Sequence, residues 1–234
     1  MDLRNAKVLV TGGSSGIGYA TAQLLRDRGA QVAICGRRPE AVEQAASELG
    51  ATGIVADVSS EDDVKAMVAR VVSELGGYDV LINNAGSGTW APLVETTTAD
   101  FRKTWETNVL GAMLVARESA RHFVEMGRGD IVNVASTSGK RGSAGGSAYV
   151  STKFALSGLT ECWRAELRQH NVRVMQVNPS EVQTNFFAAA GRPRPSNDTK
   201  LTGADIAYVI CSMLSMDDRG FITEATVWAT NPKD

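Results

Sequence analysis

Tyr149 and Lys153 stand four residues apart in a stretch, Ser147 to His170, whose pattern predicts a helix. Four-residue spacing puts both side chains on one helical face. A free tyrosine has a pKa of about 10 and exchanges protons poorly near neutrality. An ammonium beside it favours the phenolate and lowers that value. A phenol tuned this way can give a proton to a carbonyl oxygen or take one from an alcohol. Ser136, thirteen residues before the tyrosine, is a hydroxyl able to hold that oxygen in place. Ser138 competes with it on residue type. Taken alone, the Tyr/Lys pair also fits a plain surface contact worth about a few tenths of a kcal/mol.

Carbonyl reduction needs a hydride donor as well as a proton donor, and the start of the chain offers a place for one. Val8-Leu9-Val10-Thr11 runs into Gly12-Gly13-Ser14-Ser15-Gly16-Ile17-Gly18, and a helical pattern follows at once. That order is strand, tight turn, helix N-terminus. Gly12, Gly16 and Gly18 allow positive φ and let backbone close on a ligand, while the helix start offers unpaired N–H groups to a phosphate. The spacing, Thr-Gly-x3-Gly-x-Gly, is one residue longer than the common dinucleotide fingerprint, so a glycine-rich turn without a ligand also fits it. After the second strand an acidic residue would bond a ribose 2′-hydroxyl and select NAD. Here the sequence reads Cys35-Gly36-Arg37-Arg38. A guanidinium is a bidentate partner for a 2′-phosphate, so Arg37, with Ser14 assisting and Arg38 beside it, points to NADP(H).

The elements that must position these groups alternate along the chain. Strands are expected at Lys7–Thr11, Gln31–Cys35, Gly53–Ala56, Val80–Asn83, Ile131–Ser136, Val172–Val177 and Ile222–Trp228. Helices are expected over Gly16–Arg28, Pro39 to about Leu49, Ser60–Leu75, about Thr98–Met126, Ser147–His170 and Ala204–Leu214. The pattern is α/β: a doubly wound, Rossmann-type parallel sheet of about seven strands with helices on both faces. One domain over 1–234 suits this length. The segment at about 183–203, with Gly191, Pro193, Pro195 and Asn197, is expected to be an irregular substrate lid. In such folds ligands sit beyond the carboxyl ends of the strands, and the candidate residues follow strands one, four, five and six.

The 234 residues carry 24 Lys and Arg against 26 Asp and Glu. This near balance gives no reason to expect nucleic acid or an anionic membrane as partner. No apolar run approaches the ~18 residues of a membrane span, and no room for a signal peptide precedes the first strand. Cys35, Cys162 and Cys211 are odd in number and lack CxxC spacing, so they are expected to be reduced thiols in a cytoplasmic protein. His122 and His170 stand far apart, and no metal site is expected.

Taken together, Thr11–Gly18, Asp57-Val58, Asn83–Gly86, Asn108, Ser136, Tyr149-x3-Lys153 and Pro179-x4-Thr184 resemble the short-chain dehydrogenase/reductase family over essentially the whole chain. The resemblance, nearest to 3-oxoacyl-carrier-protein-reductase-like bacterial members, implies an NADP(H)-dependent carbonyl reductase or alcohol dehydrogenase. It assigns Ser136, Tyr149, Lys153 and Asn108 to catalysis. Lys153 would also bond the nicotinamide ribose, and Asn108 would interrupt its helix to relay protons to the lysine. Asp57 and Val58 would flank the adenine; Asn84, Ala85 and Gly86, then Pro179, Val182 and Thr184, would complete the cofactor cleft. It further implies a small-molecule substrate, carrier-linked 3-oxo esters among the options, and a homodimer or homotetramer formed through the two long helices, whose outward faces include Ala116, Ala120, Ala155 and Leu159. A carrier would want a basic patch, for which Arg128, Arg192 and Arg194 are candidates. Trp90, Phe186 and Phe187 could line an apolar substrate pocket.

The chain departs from the family pattern at Ser180 and Glu181, where glycine usually follows the proline, and it lacks a Gly-Gly ending. Glu181 could recognise a substrate hydroxyl or amine, or face solvent. A dinucleotide-sensing regulator on the same fold is the competing class, and a methyltransferase with a related nucleotide fold is a third; neither needs a proton donor.

Overall fold

The structure, a computed structural model, describes residues 1–193 and 195–231; Arg194 lies outside the described residues. The chain begins with β1 (Lys7–Thr11), α1 (Gly16–Asp27), β2 (Gln31–Gly36), α2 (Pro39–Leu49), β3 (Thr52–Val55), α3 (Glu61–Leu75) and β4 (Val80–Asn83). It continues through α4 (Thr98–Trp105), α5 (Ala112–Met126), β5 (Gly129–Val134), α6 (Ser147–Leu167) and β6 (Val172–Pro179). Then come β7 (Val182–Gln183), α7 (Phe186–Ala189), β8 (Leu201–Thr202), α8 (Gly203–Leu214) and β9 (Glu224–Val227).

Seven strands form one sheet in the order β3-β2-β1-β4-β5-β6-β9, every pair parallel. The strand order reverses between β1 and β4, so a crevice opens beyond their carboxyl ends. Both faces are covered. Val8 and Val10 sit in one core layer with Leu25 of α1 and Ile206 and Ile210 of α8, whereas Leu9 between them sits in the other with Met67 and Val71 of α3 and Phe123 of α5. Because successive side chains enter opposite layers, each central strand is apolar on both sides and reads as a continuous run.

Helix ends follow local chemistry. Ser60 and Thr97 accept bonds from Asp63 N (3.3 Å) and Asp100 N (3.0 Å), and Thr202 with Asp205 forms a reciprocal capping box before α8. α2, α3 and α5 each end on a left-handed glycine.

Several boundaries differ from expectation. The helix expected over about 98–126 contains a π-helical segment, Glu106–Gly111, between α4 and α5. Gly111 explains part of this: a Cβ there would stand 2.8 Å from Val58 Cγ2, so the segment lies close against the chain after β3. β5 ends two residues early, leaving Ser136 to open a 3-10 turn over Thr137–Gly139. β6 instead runs on through Pro179, because β9 pairs with its last residues, Asn178 with Thr226 and Pro179 with Val227. β9 itself is shorter than Ile222–Trp228. The segment at 183–203 holds α7 and pairs β7 with β8. Its base is fastened by Gln183, whose Nε2 donates to Asn197 O and whose Oε1 accepts from Asn197 N, both at 2.7 Å. Ala116 is buried in the core rather than outward.

Candidate active site

The glycine turn after β1 is held by its neighbour across the crevice. Thr11 Oγ1 accepts from Asn84 N and Ala85 N at 2.9 Å. Asn84 Nδ2 donates to Thr11 O at 2.9 Å and Gly12 O at 3.3 Å. The Asn84 side chain is thus a brace between strands one and four. Gly12 and Gly16 have φ of 64° and 57°, and a Cβ on Gly18 would stand 2.3 Å from Gly12 O. Only glycine permits so tight a return into α1. The first turn of α1 carries no acidic residue, and the Ser15 side chain makes no capping bond. Its N–H groups and the positive end of the helix therefore remain available to an anion, and the residues fit the pyrophosphate of a dinucleotide. Ile17 and Thr184 border this turn; a Cβ on Gly16 would stand 3.2 Å from Thr184 Cγ2.

At the end of β2 a Cβ on Gly36 would lie 3.3 Å from Ser14 Oγ. Arg37 is half exposed, with Nη1 3.9 Å from Asp57 Oδ2. Arg38 is exposed at the N-cap of α2. Asp57 also accepts from Ser59 N and Oγ. Val58 is buried in the core layer that holds α3 and α5, and Val182 is buried in the opposite layer.

Beyond β5 and β6 lie the candidate proton-handling groups. Ser136 Oγ accepts from Ser138 N at 3.1 Å and donates towards Pro179 O at 3.5 Å; Ser138 therefore supports Ser136 through its backbone. Lys153 is buried, and its Nζ donates to Val134 O at 2.9 Å and lies 5.6 Å from the Tyr149 ring centroid. Burial lowers the Lys153 ammonium to about 8, since a charged form is disfavoured where water is excluded. Burial also raises the Tyr149 phenol to about 12, with a hydrogen bond to Ser136 acting in the opposite sense. The expectation of a phenol lowered below its free value is therefore not met by the protein's own groups: exclusion of water outweighs the hydrogen bond to Ser136, and the lysine is turned to a backbone carbonyl. Asn108, within the π-helical segment, is buried and fully engaged. Its Oδ1 accepts from Ser87 N at 2.8 Å, and its Nδ2 donates to Ser87 O at 2.8 Å and to Thr152 Oγ1 at 3.0 Å. Its side chain fixes the chain beyond Gly86 against α6, one residue from Lys153.

Aromatic rings close the far side. Trp90 lies 5.0 Å from Tyr149 and 5.4 Å from Phe187, with Phe186 edge-on at 5.9 Å. Arg192 sits 5.8 Å above the Trp90 ring. Ser87, which the sequence did not single out, has a buried Oγ without a partner among the described residues. Its only signal in the sequence was its place directly after Gly86. Glu181 pairs with the buried Lys200 at 3.0 Å. Arg128 pairs with Asp79 at the start of β4, the end of the sheet remote from this cluster, so it contributes nothing to a basic patch here.

A doubly wound sheet with a braced glycine turn at its switch point and a serine, tyrosine and lysine beyond its fifth strand defines a nucleotide-dependent class of enzyme. A profile of the short chain dehydrogenase family matches residues 6–194. The chain is 38% identical to short chain aldehyde dehydrogenase 1 of Euphorbia lathyris over 222 residues, covering 92% of this chain and 77% of that protein. It is 33% identical over 192 residues to the uncharacterized oxidoreductase YxnA of Bacillus subtilis, covering 79% of this chain but 54% of that protein, about half its length. Among solved structures it superposes on the 3-ketoacyl-(acyl-carrier-protein) reductase of Brucella melitensis complexed with NADH, with a TM-score of 0.89 at 28% identity, covering 97% and 98% of the two chains. The chain belongs to the short-chain dehydrogenase/reductase family.

Proposed function

We propose that the chain transfers a hydride between NADP(H) and a carbonyl or secondary alcohol, with Tyr149 as proton donor and acceptor. The observation that carries this is the gathering of Ser136, Tyr149 and Lys153 just beyond β5 and β6, beside the glycine turn. Reduced nicotinamide supplies the hydride. Ser136 holds the substrate oxygen, and Tyr149 gives it a proton. Lys153, still positively charged below about 8, stabilises the phenolate left behind and bonds the nicotinamide ribose. Asn108 keeps Ser87 and Thr152 in register around that lysine.

NADP(H) rather than NAD(H) is supported by the end of β2, where Gly36, Arg37 and Arg38 follow in place of an acidic residue, Ser14 lies beside Gly36, and the Arg37 guanidinium is held only loosely by Asp57 at 3.9 Å. Arg38, Asp57, Val58, Asn84, Ala85, Gly86, Pro179, Val182 and Thr184 complete the proposed cleft, Asn84 as brace and Val58 and Val182 as packing beneath it. A 3-oxoacyl substrate is one option, supported by the likeness to a 3-ketoacyl reductase. We place the enzyme in the cytoplasm as a homodimer or homotetramer. An apolar groove lined by Trp105, Val109, Leu110, Met113 and Leu159 along the two long helices suits a second copy.

The test is a panel of carbonyl compounds assayed with NADPH and NADH by loss of reduced-nicotinamide absorbance. Turnover preferring NADPH is expected. Binding of NADPH without oxidation by any ketone, aldehyde or 3-oxo thioester would favour the sensing regulator instead.

A further inference from the structure

Resting on that reading of the site, we propose that the substrate is a planar aromatic carbonyl compound carrying an anionic group. Its ring would be received by Trp90, Tyr149, Phe186 and Phe187, and its charge by Arg192.

The catalytic phenol is enclosed by rings. Trp90 is tilted against Tyr149 at 5.0 Å, and Phe186 meets Tyr149 at 5.6 Å. Phe187 stands edge-on to Phe186 at 5.8 Å and tilted to Trp90 at 5.4 Å. Faces and edges in these arrangements carry opposite partial charge and hold a further flat ring in a defined orientation, beyond the area buried. A flexible alkyl chain would gain the area without the orientation. Gly88 packs against the indole and sets where these rings stand: a Cβ there would lie 2.5 Å from Trp90 Cζ3 and 3.1 Å from Phe186 Cζ.

Two cations lie over the cluster: Lys153, 5.6 Å from the Tyr149 centroid, whose Nζ donates to Val134 O, and Arg192 on the Trp90 side. The Arg192 guanidinium lies 5.8 Å above the Trp90 centroid, and its backbone N–H donates to Phe187 O at 2.8 Å, which sets where the side chain starts. A guanidinium stacked on an aromatic face keeps its edge donors free for a bidentate carboxylate. Arg192 makes no salt bridge among the described residues. Glu181, at the base of this segment, is ion-paired with Lys200 at 3.0 Å. Gln183 fastens the base of the loop to Asn197, so the rings and the arginine are presented together.

The experiment uses two probes that cannot be reduced at the site, so it does not depend on hydride transfer. 4-Methylbenzoate and its neutral isostere 4-methylbenzamide are titrated by calorimetry into the wild type, Arg192→Gln and Trp90→Leu. The wild type is expected to bind the benzoate about ten-fold tighter than the amide, a difference of about 1.4 kcal/mol. Arg192→Gln should erase that preference, and Trp90→Leu should weaken both probes; circular dichroism confirms that each variant is folded. Equal affinity for the two probes in the wild type, no binding of either, or a preference surviving in Arg192→Gln would overturn the proposal. The ketone panel decides hydride transfer separately: a charge preference without turnover sinks the catalytic reading alone, and turnover without the preference sinks this inference alone.

Discussion

At the scale of single residues the candidate site turns on the burial of two titratable groups, Tyr149 and Lys153. Removing the Tyr149 hydroxyl leaves the ring and its contacts with Trp90 and Phe186 in place. Tyr149→Phe should therefore lower kcat by about 10²–10⁴, the contribution of a positioned acid, while NADPH affinity changes little; near-normal turnover would remove Tyr149 as the acid. The pH profile should report the lysine instead. Tyr149, raised to about 12, stays protonated through the neutral range, whereas Lys153, lowered to about 8, loses its charge within it. A charged lysine eases departure of the phenolic proton, so reductive kcat should fall as pH rises through about 8. Lys153→Met should lower the rate and abolish that inflection; an inflection that persists belongs to another group. Arg37 is exposed and only loosely paired with Asp57 at 3.9 Å, so the fold gains little from it. Arg37→Asp should shift the kcat/KM ratio at least about ten-fold towards NADH by setting a like charge against the 2′-phosphate. An unchanged ratio would move the phosphate to Arg38 and Ser14.

At the scale of elements, the turn between β1 and α1 is the most constrained joint. A Cβ on Gly18 would meet Gly12 O at 2.3 Å and Asn84 Nδ2 at 2.6 Å. Gly18→Ala must open the turn or dislodge the asparagine brace. We expect a loss of about 1–3 kcal/mol of stability, the usual cost of overpacking, together with weakened NADP+ binding. Thermal melts and calorimetric titration check both. Unchanged melting and affinity would mean that the turn relaxes freely.

At the scale of the whole molecule, the sheet is fastened at the end remote from the site by a buried ion pair. Arg173 at the start of β6 donates to Asp130 of β5 at 2.5 and 2.8 Å, and also to Leu214 O and Met216 O at 3.3 and 3.2 Å, joining sheet to α8. Arg173→Met would leave Asp130 buried without its partner, at a cost of about 3–5 kcal/mol. Urea unfolding should show a lower midpoint while KM and kcat of the folded protein hold; a change under about 1 kcal/mol would mean that water reaches the carboxylate.

The sequence by itself determined the alternation of strands and helices, the parallel sheet and where the candidate site residues fall along the chain. These depend on local causes: β-rich apolar runs, capping residues, glycines at turns, and the four-residue spacing of Tyr149 and Lys153. Ser180 and Glu181 could be recognised as departures but not interpreted, because the partner of Glu181 is Lys200, nineteen positions on. What the tertiary structure decided came from neighbours distant in the chain. The π-helical segment follows from Asn108 reaching Ser87 and from Val58 lying against Gly111. β6 runs on to Pro179 because β9 pairs with its end. Arg128 leaves the site because it stands just before β5, at the amino-terminal ends of the strands, while the candidate residues lie beyond their carboxyl ends. The direction of the Tyr149 shift was decided the same way: helical spacing brings an ammonium near, but only the packed structure shows how much water is excluded and that Lys153 is turned to Val134 O.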